Sequence, residues 1–251
     1  MYLPAGICLL SNIPMRADAS ERSEMVSQLL FGETFTILDS TEKWLHIRTT
    51  MDEYNGWVST NMVKLLEKEI FSDQGRLHIV SVPFTTCHVS PDDVCLYLPG
   101  GSIFSPESLS IIDEKRSYLL DGDVLETNQD VVASAKQYLE APYLWGGKTV
   151  FGIDCSGLVQ VVFRMAGKYL PRDAHQQEKL GNPVDFEDIR QGDLAFFANE
   201  EHRVIHVGIL CDDASIIHAS GCVRIDRFDR QGIFNRDEKR YTHQLHSIKR
   251  I

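Results

Sequence analysis

The 251-residue chain carries a formal net charge of −11 at pH 7, which argues against binding nucleic acid or an anionic membrane surface through bulk charge. Hydrophobic residues make up 43% of the chain and charged residues 24%, so it can bury a core and has room for two or three small domains. No run of about 18 apolar residues occurs, so no membrane-spanning helix is predicted.

The amino-terminal part of the chain is predicted to form a small all-β barrel. Short apolar runs separated by polar turns cover residues 35–38, 44–48 and 56–58. Several short strands at such a spacing are typical of a barrel or a sandwich.

A second group of strands is predicted further along the chain. It covers residues 78–82, 94–98, 102–104 and 117–120, again with polar turns between the runs. This repetition of short strands predicts a second small β-domain.

A helix is predicted over residues 131–139. Asn128 is suited to cap its amino terminus, and Pro142 stops it soon after its last turn. We place the start of a third domain, residues 127–251, just before this helix.

The segment at residues 154–160 places Cys155 where a glycine-containing loop turns into an apolar helix. The positive end of a helix stabilises a thiolate over a thiol, and a thiolate is the nucleophile that acyl transfer needs. The alternative is that Cys155 is a small buried hydrophobic residue, as free cysteines often are. The segment alone leaves both interpretations open.

Two histidines lie in consecutive strand-like runs, at residues 203–210 and 215–220. The polar loop between the runs is centred on Asp212, and an antiparallel hairpin with that centre sets His206 directly opposite His218. Side chains that face each other across two strands have Cβ atoms about 4.5–5.5 Å apart, so one imidazole can hydrogen-bond the other. The pair then supplies a base and an orienting group for the nucleophile. The alternative is two unrelated core histidines.

The cysteine and histidine spacing predicts neither a metal nor a cofactor. The six cysteines form no C-x-x-C pair, and the nine histidines form no H-E-x-x-H motif. If Cys155 is catalytic, the other five cysteines cannot all pair, which favours a reducing compartment. Residues 1–10 lack the basic stretch of a signal peptide, so we expect a cytoplasmic protein. The alternative is an exported or periplasmic protein whose leader has been removed.

Five motifs in the carboxy-terminal half occur in the order found in one peptidase family. They are YLWGG (143–147), DCSGLVQ (154–160), GDLAFF (192–197), HVGI (206–209) and IHAS (217–220). Over about residues 128–251 the chain resembles the NlpC/p60 cysteine peptidases, a papain-like family that cuts bacterial cell-wall peptides. The resemblance implies that Cys155 is the nucleophile, His206 the base and His218 the third polar residue.

The two predicted β-domains resemble bacterial SH3-like domains. Residues 28–33 and 54–58 carry the likeness in the first domain, and residues 98–103 carry it more weakly in the second. The expected fold is α+β: a papain-like NlpC/p60 catalytic domain preceded by two small SH3-like β-barrels. The expected domain limits are 1–67, 68–126 and 127–251.

This domain order is similar to that of the γ-D-glutamyl-L-diamino acid endopeptidases, of the dipeptidyl-peptidase VI type. These enzymes cut short peptidoglycan-derived peptides that begin with a free L-Ala, and the likeness implies the same substrate here. It also implies that Asp154, Glu24 and Tyr54 clamp the free amine of the L-Ala. Glu24 as a solvated surface carboxylate and Tyr54 as a barrel core residue are the alternatives.

The same resemblance implies four further substrate-binding residues. Tyr143, Trp145 and Ser156 would shape the pocket for the L-Ala and D-Glu units, and Asp173 would contribute from the loop after the nucleophile helix. Ala174 follows Asp173, where relatives often have serine, so one hydrogen bond to the substrate carboxylate is in doubt. Packing is the alternative role for Trp145, and capping a turn is the alternative for Asp173.

Three rival functions come from other classes. They are a non-catalytic wall-binding protein, an acyltransferase with a papain-like layout, and a secreted hydrolase of intact stem peptides. A complete set of Cys155, His206 and His218 disfavours the first, and an amine clamp would disfavour the last. The only expected partner is the peptide substrate, and the chain is expected to be a monomer.

Overall fold

A computed structural model of the chain describes residues 5–66, 78–121 and 130–251. Two compact units are present. Unit 1 comprises Met1–Thr127 together with Gly146–Thr149, and unit 2 comprises Asn128–Trp145 and Val150–Ile251. The sequence-based domain limits near residues 67 and 126 fall outside the described residues.

Unit 1 begins with a seven-stranded antiparallel sheet that is barrel-like. Its strands are β1 (Ala5–Ile7), β2 (Asn12–Arg16), β3 (Met25–Leu30), β4 (Thr34–Ser40), β5 (Trp44–Thr49), β6 (Asn55–Ser59) and β7 (Lys64–Leu66), with a 3₁₀ turn at Thr60–Met62. The strand order is β3-β2-β6-β5-β4-β1-β7. Alternate side chains of β2, β4 and β5 are buried in one core, as a half-buried strand requires. The three strands predicted here are confirmed as parts of β4, β5 and β6.

The rest of unit 1 is built from short strands and one helix. These are β8 (His78–Ile79), β9 (Phe84–Ser90), β10 (Val94–Pro99), β11 (Ile103–Phe104), α1 (Pro106–Ile112) and β12 (Ser117–Leu120). The strands form a three-stranded sheet, β10-β9-β12, and a two-stranded sheet, β11-β8. Phe31 lies in the same core as the buried side chains of these elements. The sequence analysis missed β9 and α1, although Ser105 followed by Pro106 is a typical helix start.

A buried ion pair joins the segment Gly146–Thr149 to the turn after β3, within unit 1. Lys148 is 2% exposed, and its Nζ lies 3.2 Å from Oε1 of Glu33, which is also 2% exposed. The backbone N–H of Lys148 donates to Gln28 at 2.7 Å, and that of Leu30 donates to Glu33 at 2.7 Å. Each buried charge therefore has a charged partner, as it must in a low-dielectric interior.

Lys148→Met is expected to destabilise unit 1 by about 3–5 kcal/mol, because the Glu33 carboxylate stays buried without its cation. The double variant Lys148→Met/Glu33→Gln should recover much of this loss, since no net charge is then buried. Urea unfolding followed by tryptophan fluorescence measures both. The exposed Lys64, changed to Met, serves as the control; an equal loss in Lys148→Met and Lys64→Met would contradict the prediction.

Unit 2 packs helices against a largely closed antiparallel sheet. Its helices are α2 (Val131–Lys136), α3 (Cys155–Met165) and α4 (Ala174–Gln177). Its strands are β14 (Gly152–Ile153), β15 (Asn182–Pro183), β16 (Leu194–Ala198), β17 (Val204–Leu210), β18 (Ser215–Ser220), β19 (Cys222–Asp229), β20 (Gly232–Asn235) and β21 (Arg240–Arg250). A 3₁₀ turn covers Phe186–Asp188. The preceding short strand, β13 (Lys148–Thr149), belongs to unit 1. The order is β15-β21-β16-β17-β18-β19-β20, and β20 also pairs with β21. The six strands β16 to β21 therefore close on themselves.

Helix α3 is the centre of the unit 2 core. All eleven of its residues are buried, and it packs against α2, β17 and β18. Its apolar side chains and those of β16 and β17 form one core cluster. Burial on every side explains why the sequence after Cys155 reads as a nearly continuous apolar run.

The helix predicted over residues 131–139 is shorter than expected. It ends as an α-helix at Lys136, and Asp130 caps it by accepting hydrogen bonds from the N–H groups of Val132 and Ala133 at 3.1 and 3.0 Å. The predicted cap, Asn128, lies outside the described residues. No helix in the described ranges is long and apolar enough to cross a membrane.

Candidate active site

Cys155 is the first residue of α3, and the helix start is fixed by its own cap. The Asp154 side chain accepts a hydrogen bond from the N–H of Gly157 at 2.7 Å. This bond satisfies one of the orphan donors at the helix start. The cap therefore holds the Cys155 thiol in a set position at the end of the helix.

The surroundings of the Cys155 thiol favour its neutral form. Cys155 is only 6% exposed. Burial raises the pKa of its thiol to about 12, and the charge of Asp154 acts in the same direction. The Val207 backbone, Arg172 and the Ser156 backbone lower this pKa, but by less. Desolvation of the charged form is the largest of these effects, so the helix start acts against it in stabilising a thiolate.

His206 and His218 lie next to each other, but not in the predicted register. The strands pair Ile209 with Ile217, a register two residues away from the predicted one. The turn includes Ala214 and is therefore centred one residue later than Asp212. A slip of two residues keeps both histidines on the same face of the sheet, because side chains alternate with period two.

The two imidazoles share a buried hydrogen bond. Nε2 of His206 lies 2.9 Å from Nδ1 of His218, and the ring planes are nearly perpendicular, at 89°. His206 is 6% exposed and His218 1% exposed. Burial is the main reason that the pKa of His206 lies well below its usual value, with His243 and His218 acting in the same direction. His206 is thus neutral and able to accept a proton at neutral pH.

Asp226 extends this pair and was missed by the sequence analysis. Its Oδ2 lies 3.1 Å from Nε2 of His218, and the residue is 3% exposed. Burial opposes ionisation, but hydrogen bonds from His218 and Arg224 more than offset it and hold the pKa of Asp226 below its usual value. The alternation of Val223 and Ile225 in the sequence suggests an outward Asp226, yet Ile225 is 43% exposed. The pairing of β19 with β18 has no register shift, so Asp226 shares one face of the strand with Arg224 and Phe228. The opposite face is buried at Val223 but exposed at Ile225, and the residue types do not show this change.

His243, in β21, is a second residue that the sequence analysis missed. Its ring stacks on that of His206, with the centroids 4.1 Å apart and the planes 25° apart. Burial lowers the pKa of His243 to about 4, with His218 acting in the same direction and Asp226 and Glu238 opposing. His243 therefore adds a neutral ring that restricts the orientation of His206.

The three histidines are the group in the described residues whose ligand atoms are close enough to hold a metal ion. One nitrogen from each of His206, His218 and His243 lies within 4.8 Å of the others. A nitrogen lone pair lies in the plane of its ring, and two nearly parallel stacked rings cannot direct their lone pairs at one ion. The observed ring orientations do not fit a shared metal.

Asp154 also forms a buried ion pair with a residue that the sequence analysis missed. Arg172 is 1% exposed, and its Nη2 lies 2.5 Å from Oδ2 of Asp154. Its Nη1 donates to the other Asp154 oxygen at 3.0 Å and to Oγ of Ser156 at 2.8 Å. The predicted residues Asp154 and Ser156 therefore lie together, but the Asp154 charge is balanced within unit 2.

The other predicted substrate residues of unit 2 lie on different elements. Tyr143 is partly buried; burial raises the pKa of its hydroxyl to about 12, with Cys155 and Asp154 acting in the same direction. Trp145 is 58% exposed. Asp173 caps the amino terminus of α4 and forms a capping box with Gln176, which fits its alternative role as a capping residue.

The two remaining predicted residues belong to unit 1. Tyr54 packs against the core of the seven-stranded sheet, as its alternative role requires. Glu24 is exposed at the edge of β3. Their part in substrate binding remains a prediction.

The site has the composition of a papain-like cysteine peptidase: a thiol at a helix start beside a sheet that carries a pair of histidines. A family model described as the NlpC/P60 family matches residues 140–242, and one described as the bacterial dipeptidyl-peptidase SH3 domain matches residues 15–62. Residues 140–242 are therefore an NlpC/P60 domain, and residues 15–62 are a bacterial dipeptidyl-peptidase SH3 domain. The predicted α+β fold class is confirmed, and so is the predicted resemblance of the carboxy-terminal domain to the NlpC/P60 cysteine peptidases.

Two curated relatives carry the same name. The gamma-D-glutamyl-L-lysine dipeptidyl-peptidase of Bacillus subtilis (strain 168) is 40% identical over 95 residues, which cover 37% of this chain and 32% of the relative. That of Bacillus cereus (strain ATCC 10987 / NRS 248) is 25% identical over 227 residues, which cover 78% of this chain and 68% of the relative. The first match thus spans about a third of its relative's length, and the second about two thirds.

A solved structure shows the same fold over nearly the whole chain. The crystal structure of an NlpC/P60 family protein from Bacillus cereus ATCC 10987 has a TM-score of 0.79 and 19% sequence identity. The match covers 98% of this chain and 99% of that chain. At this identity the likeness concerns the fold alone.

The stability of unit 2 is expected to fall as the pH drops from about 6.5 towards 4. In this window the unfolded chain protonates His243 and His206, whose usual pKa is about 6.5, while the folded chain keeps them neutral. Each such histidine lowers the free energy of unfolding by up to about 1.4 kcal/mol for each pH unit below this value. Urea unfolding between pH 7.5 and 5 measures this slope.

His243→Asn should flatten this pH dependence, and His175→Asn, at an exposed position of α4, should leave it unchanged. An unaltered slope in His243→Asn would show that this ring is not held neutral by the fold.

Proposed function

We propose that the chain hydrolyses the γ-D-glutamyl-L-diamino acid bond of short peptidoglycan-derived peptides, with Cys155 as nucleophile, His206 as base and His218 as the group that orients the base. The observation that carries the proposal is the hydrogen-bonded pair of buried histidines in the sheet that packs against the α3 helix start. The names of the Bacillus relatives supply the bond type.

The proposed reaction starts from a neutral thiol and a neutral imidazole. Cys155 Sγ bonds to the carbonyl carbon while its proton passes to His206, and the carbonyl electron pair moves to oxygen. The carbon–nitrogen bond then breaks, the amine leaves with the proton from His206, and a thioester remains. A water molecule that gives a proton to His206 next attacks the thioester, and the thiol recovers that proton as it leaves. His206 therefore accepts a proton and then donates one in each half of the reaction, and it begins each half uncharged.

The helix start is suited to stabilise the negative oxygen of each tetrahedral intermediate. The first N–H groups of an α-helix have no partner within the helix and carry its positive end. The N–H of Gly157 is occupied by Asp154, whereas the Ser156 backbone faces the thiol. Donors fixed before the reaction stabilise the developing charge without reorganising.

The proposed specificity is for a free amino terminus on the substrate. Asp154, Glu24 and Tyr54 are proposed to receive the ammonium group of L-Ala. Because Arg172 already balances the charge of Asp154, Glu24 is the proposed source of net negative charge for this amine. Blocked or longer peptides bring no ammonium group to this carboxylate, which selects against them.

The remaining proposed substrate residues are Tyr143, Trp145, Ser156 and Asp173. The exposed Trp145 ring and the hydroxyl of Tyr143, whose raised pKa keeps it protonated, offer an apolar face and a hydrogen-bond donor. Both are suited to a short peptide with a carboxylate.

A role in recycling such peptides in the cytoplasm belongs to the same proposal. All six cysteines lie in the described ranges, and all six are free thiols. Six free thiols support a reducing compartment.

Cys155→Ala is expected to abolish hydrolysis of L-Ala-γ-D-Glu-diaminopimelate while circular dichroism remains unchanged, because the proposed nucleophile is removed and only one sulfur atom is lost from the core. His206→Ala should cost nearly as much, and His218→Ala less, since an orienting group contributes less than the base it holds. Mass spectrometry of the products measures the rates and identifies the bond. Unchanged turnover in Cys155→Ala would refute the cysteine mechanism, and the exposed Cys95→Ala is the matched control.

Acetylating the substrate amine is expected to lower kcat/KM by at least about fivefold, from up to about 1 kcal/mol for the ion pair that the exposed Glu24 loses, with the bulk of the acetyl group acting in the same direction. Glu24→Gln should weaken cleavage of the free peptide and affect the acetylated one much less. Glu42→Gln, at another exposed site of unit 1, is the control. Equal cleavage of both peptides by the wild type would instead favour a hydrolase of intact wall.

A further inference from the structure

A line of buried polar side chains continues beyond the two histidines. Asp226 contacts His218 on one side and Arg224 on the other, with Arg224 Nη2 3.0 Å from Oδ1 of Asp226. Arg224 in turn lies 2.7 Å from Asp237, whose side chain is 78% exposed. The line thus runs from the surface to His206, and its meaning for catalysis rests on the function proposed above.

The hydrogen bonds in this line fix where the imidazole protons sit. A carboxylate can only accept hydrogen bonds, so Nε2 of His218 must carry a hydrogen and donate it in the bond to Asp226. In a neutral ring the other nitrogen, Nδ1, is then an acceptor. Nε2 of His206 must therefore donate to it across the 2.9 Å contact. The one nitrogen of His206 left to accept a proton is Nδ1.

We propose that Asp226 is a positioning residue for the peptidase reaction: it selects the imidazole tautomers through His218, so that Nδ1 of His206 takes the proton of Cys155. The thiol S–H bond breaks, an N–H bond forms at Nδ1, and the electron pair stays on sulfur. His206 then carries a positive charge, which the Asp226 carboxylate stabilises through the intervening ring.

Arg224 has the complementary role of keeping Asp226 ionised. Its Nε lies 2.9 Å from Oδ2 of Asp226. A carboxylate buried beside imidazoles alone could take up a proton and would then donate rather than accept. With the arginine beside it, Asp226 remains a hydrogen-bond acceptor. The hydrogen bonds then keep their direction, from His206 to His218 and from His218 to Asp226.

Other ionisable groups surround this line from each neighbouring element. His243 of β21 lies against both imidazoles, and Cys155 of α3 has the Asp154–Arg172 pair beside it. Within the described residues, the hydrogen-bond partner of His218 Nε2 is Asp226. A change at Asp226 therefore acts on His218 directly.

The test is the pH profile of kcat and kcat/KM for Asp226→Asn, measured with L-Ala-γ-D-Glu-diaminopimelate. The amide lacks the charge and can donate to His218, which favours the wrong tautomer. In the serine-protease triad the corresponding change costs about 10⁴-fold, and one residue further from the base we expect a loss of about 10- to 10³-fold in kcat with little change in KM.

The direction of the pH shift separates this role from a merely structural one. Removing the carboxylate makes His206 a weaker base, so the acidic limb of kcat/KM should move to lower pH while the plateau falls. A loosened fold would lower the plateau and leave the limb in place. Asp237→Asn, which touches the same arginine but not His218, is the matched control and should stay within about twofold of wild type.

Two further variants keep the proposal open to refutation. In a His218→Gln background, Asp226→Asn should cost no more than about twofold, because its effect passes through His218. If Asp226→Asn does not fold, Asp226→Ser removes the same charge and carries the same test. Full activity with an unmoved acidic limb in the folded variant overturns the role of Asp226. Only loss of dependence on Cys155 overturns the function itself, so the two failures are distinguishable.

Discussion

The hydrogen bond between His206 and His218 is the interaction on which the site depends. Both rings are buried within a nearly closed sheet, where a polar group without a partner is costly. Each nitrogen must therefore meet a group of the right kind. Asp226 satisfies the far end of the pair, and the near end remains available to the nucleophile. The hydrogen bonds that satisfy the buried ring nitrogens therefore also leave one nitrogen of His206 free to act as a base.

The packing of unit 2 serves this pair in two ways. The fully buried helix α3 rests on β17, so the thiol at its first residue lies beside the backbone next to His206. Burial also keeps the thiol and the imidazole uncharged in the free enzyme. In the proposed reaction, proton transfer then accompanies attack on the substrate and is not complete beforehand. The cap and ion pair of Asp154 fix the same helix start from the other side.

Short-range patterns predicted part of the fold, and long-range pairing decided the rest. The apolar runs of β4, β5 and β6, the helix after Cys155 and the two histidine strands follow from periodicity and turn residues alone. The register of the histidine hairpin depended on one extra loop residue, Ala214. Asp226 could not be predicted, because at this point of β19 the face that carries Ile225 is exposed and the face that carries Asp226 is buried, which is the opposite of what the residue types indicate. Arg172 and His243 come from distant segments, and only the tertiary fold brings them to the site.

The tautomers of the two histidines test the central claim most directly. Nitrogen-15 NMR of the histidine-labelled enzyme at neutral pH distinguishes protonated from unprotonated ring nitrogens, and His206→Gln and His218→Gln samples assign the signals. The account predicts that both residues carry their proton on Nε2, with Nδ1 of His206 unprotonated. A proton on Nδ1 of His206 in the free enzyme would contradict it, because that nitrogen could not then act as the base for Cys155.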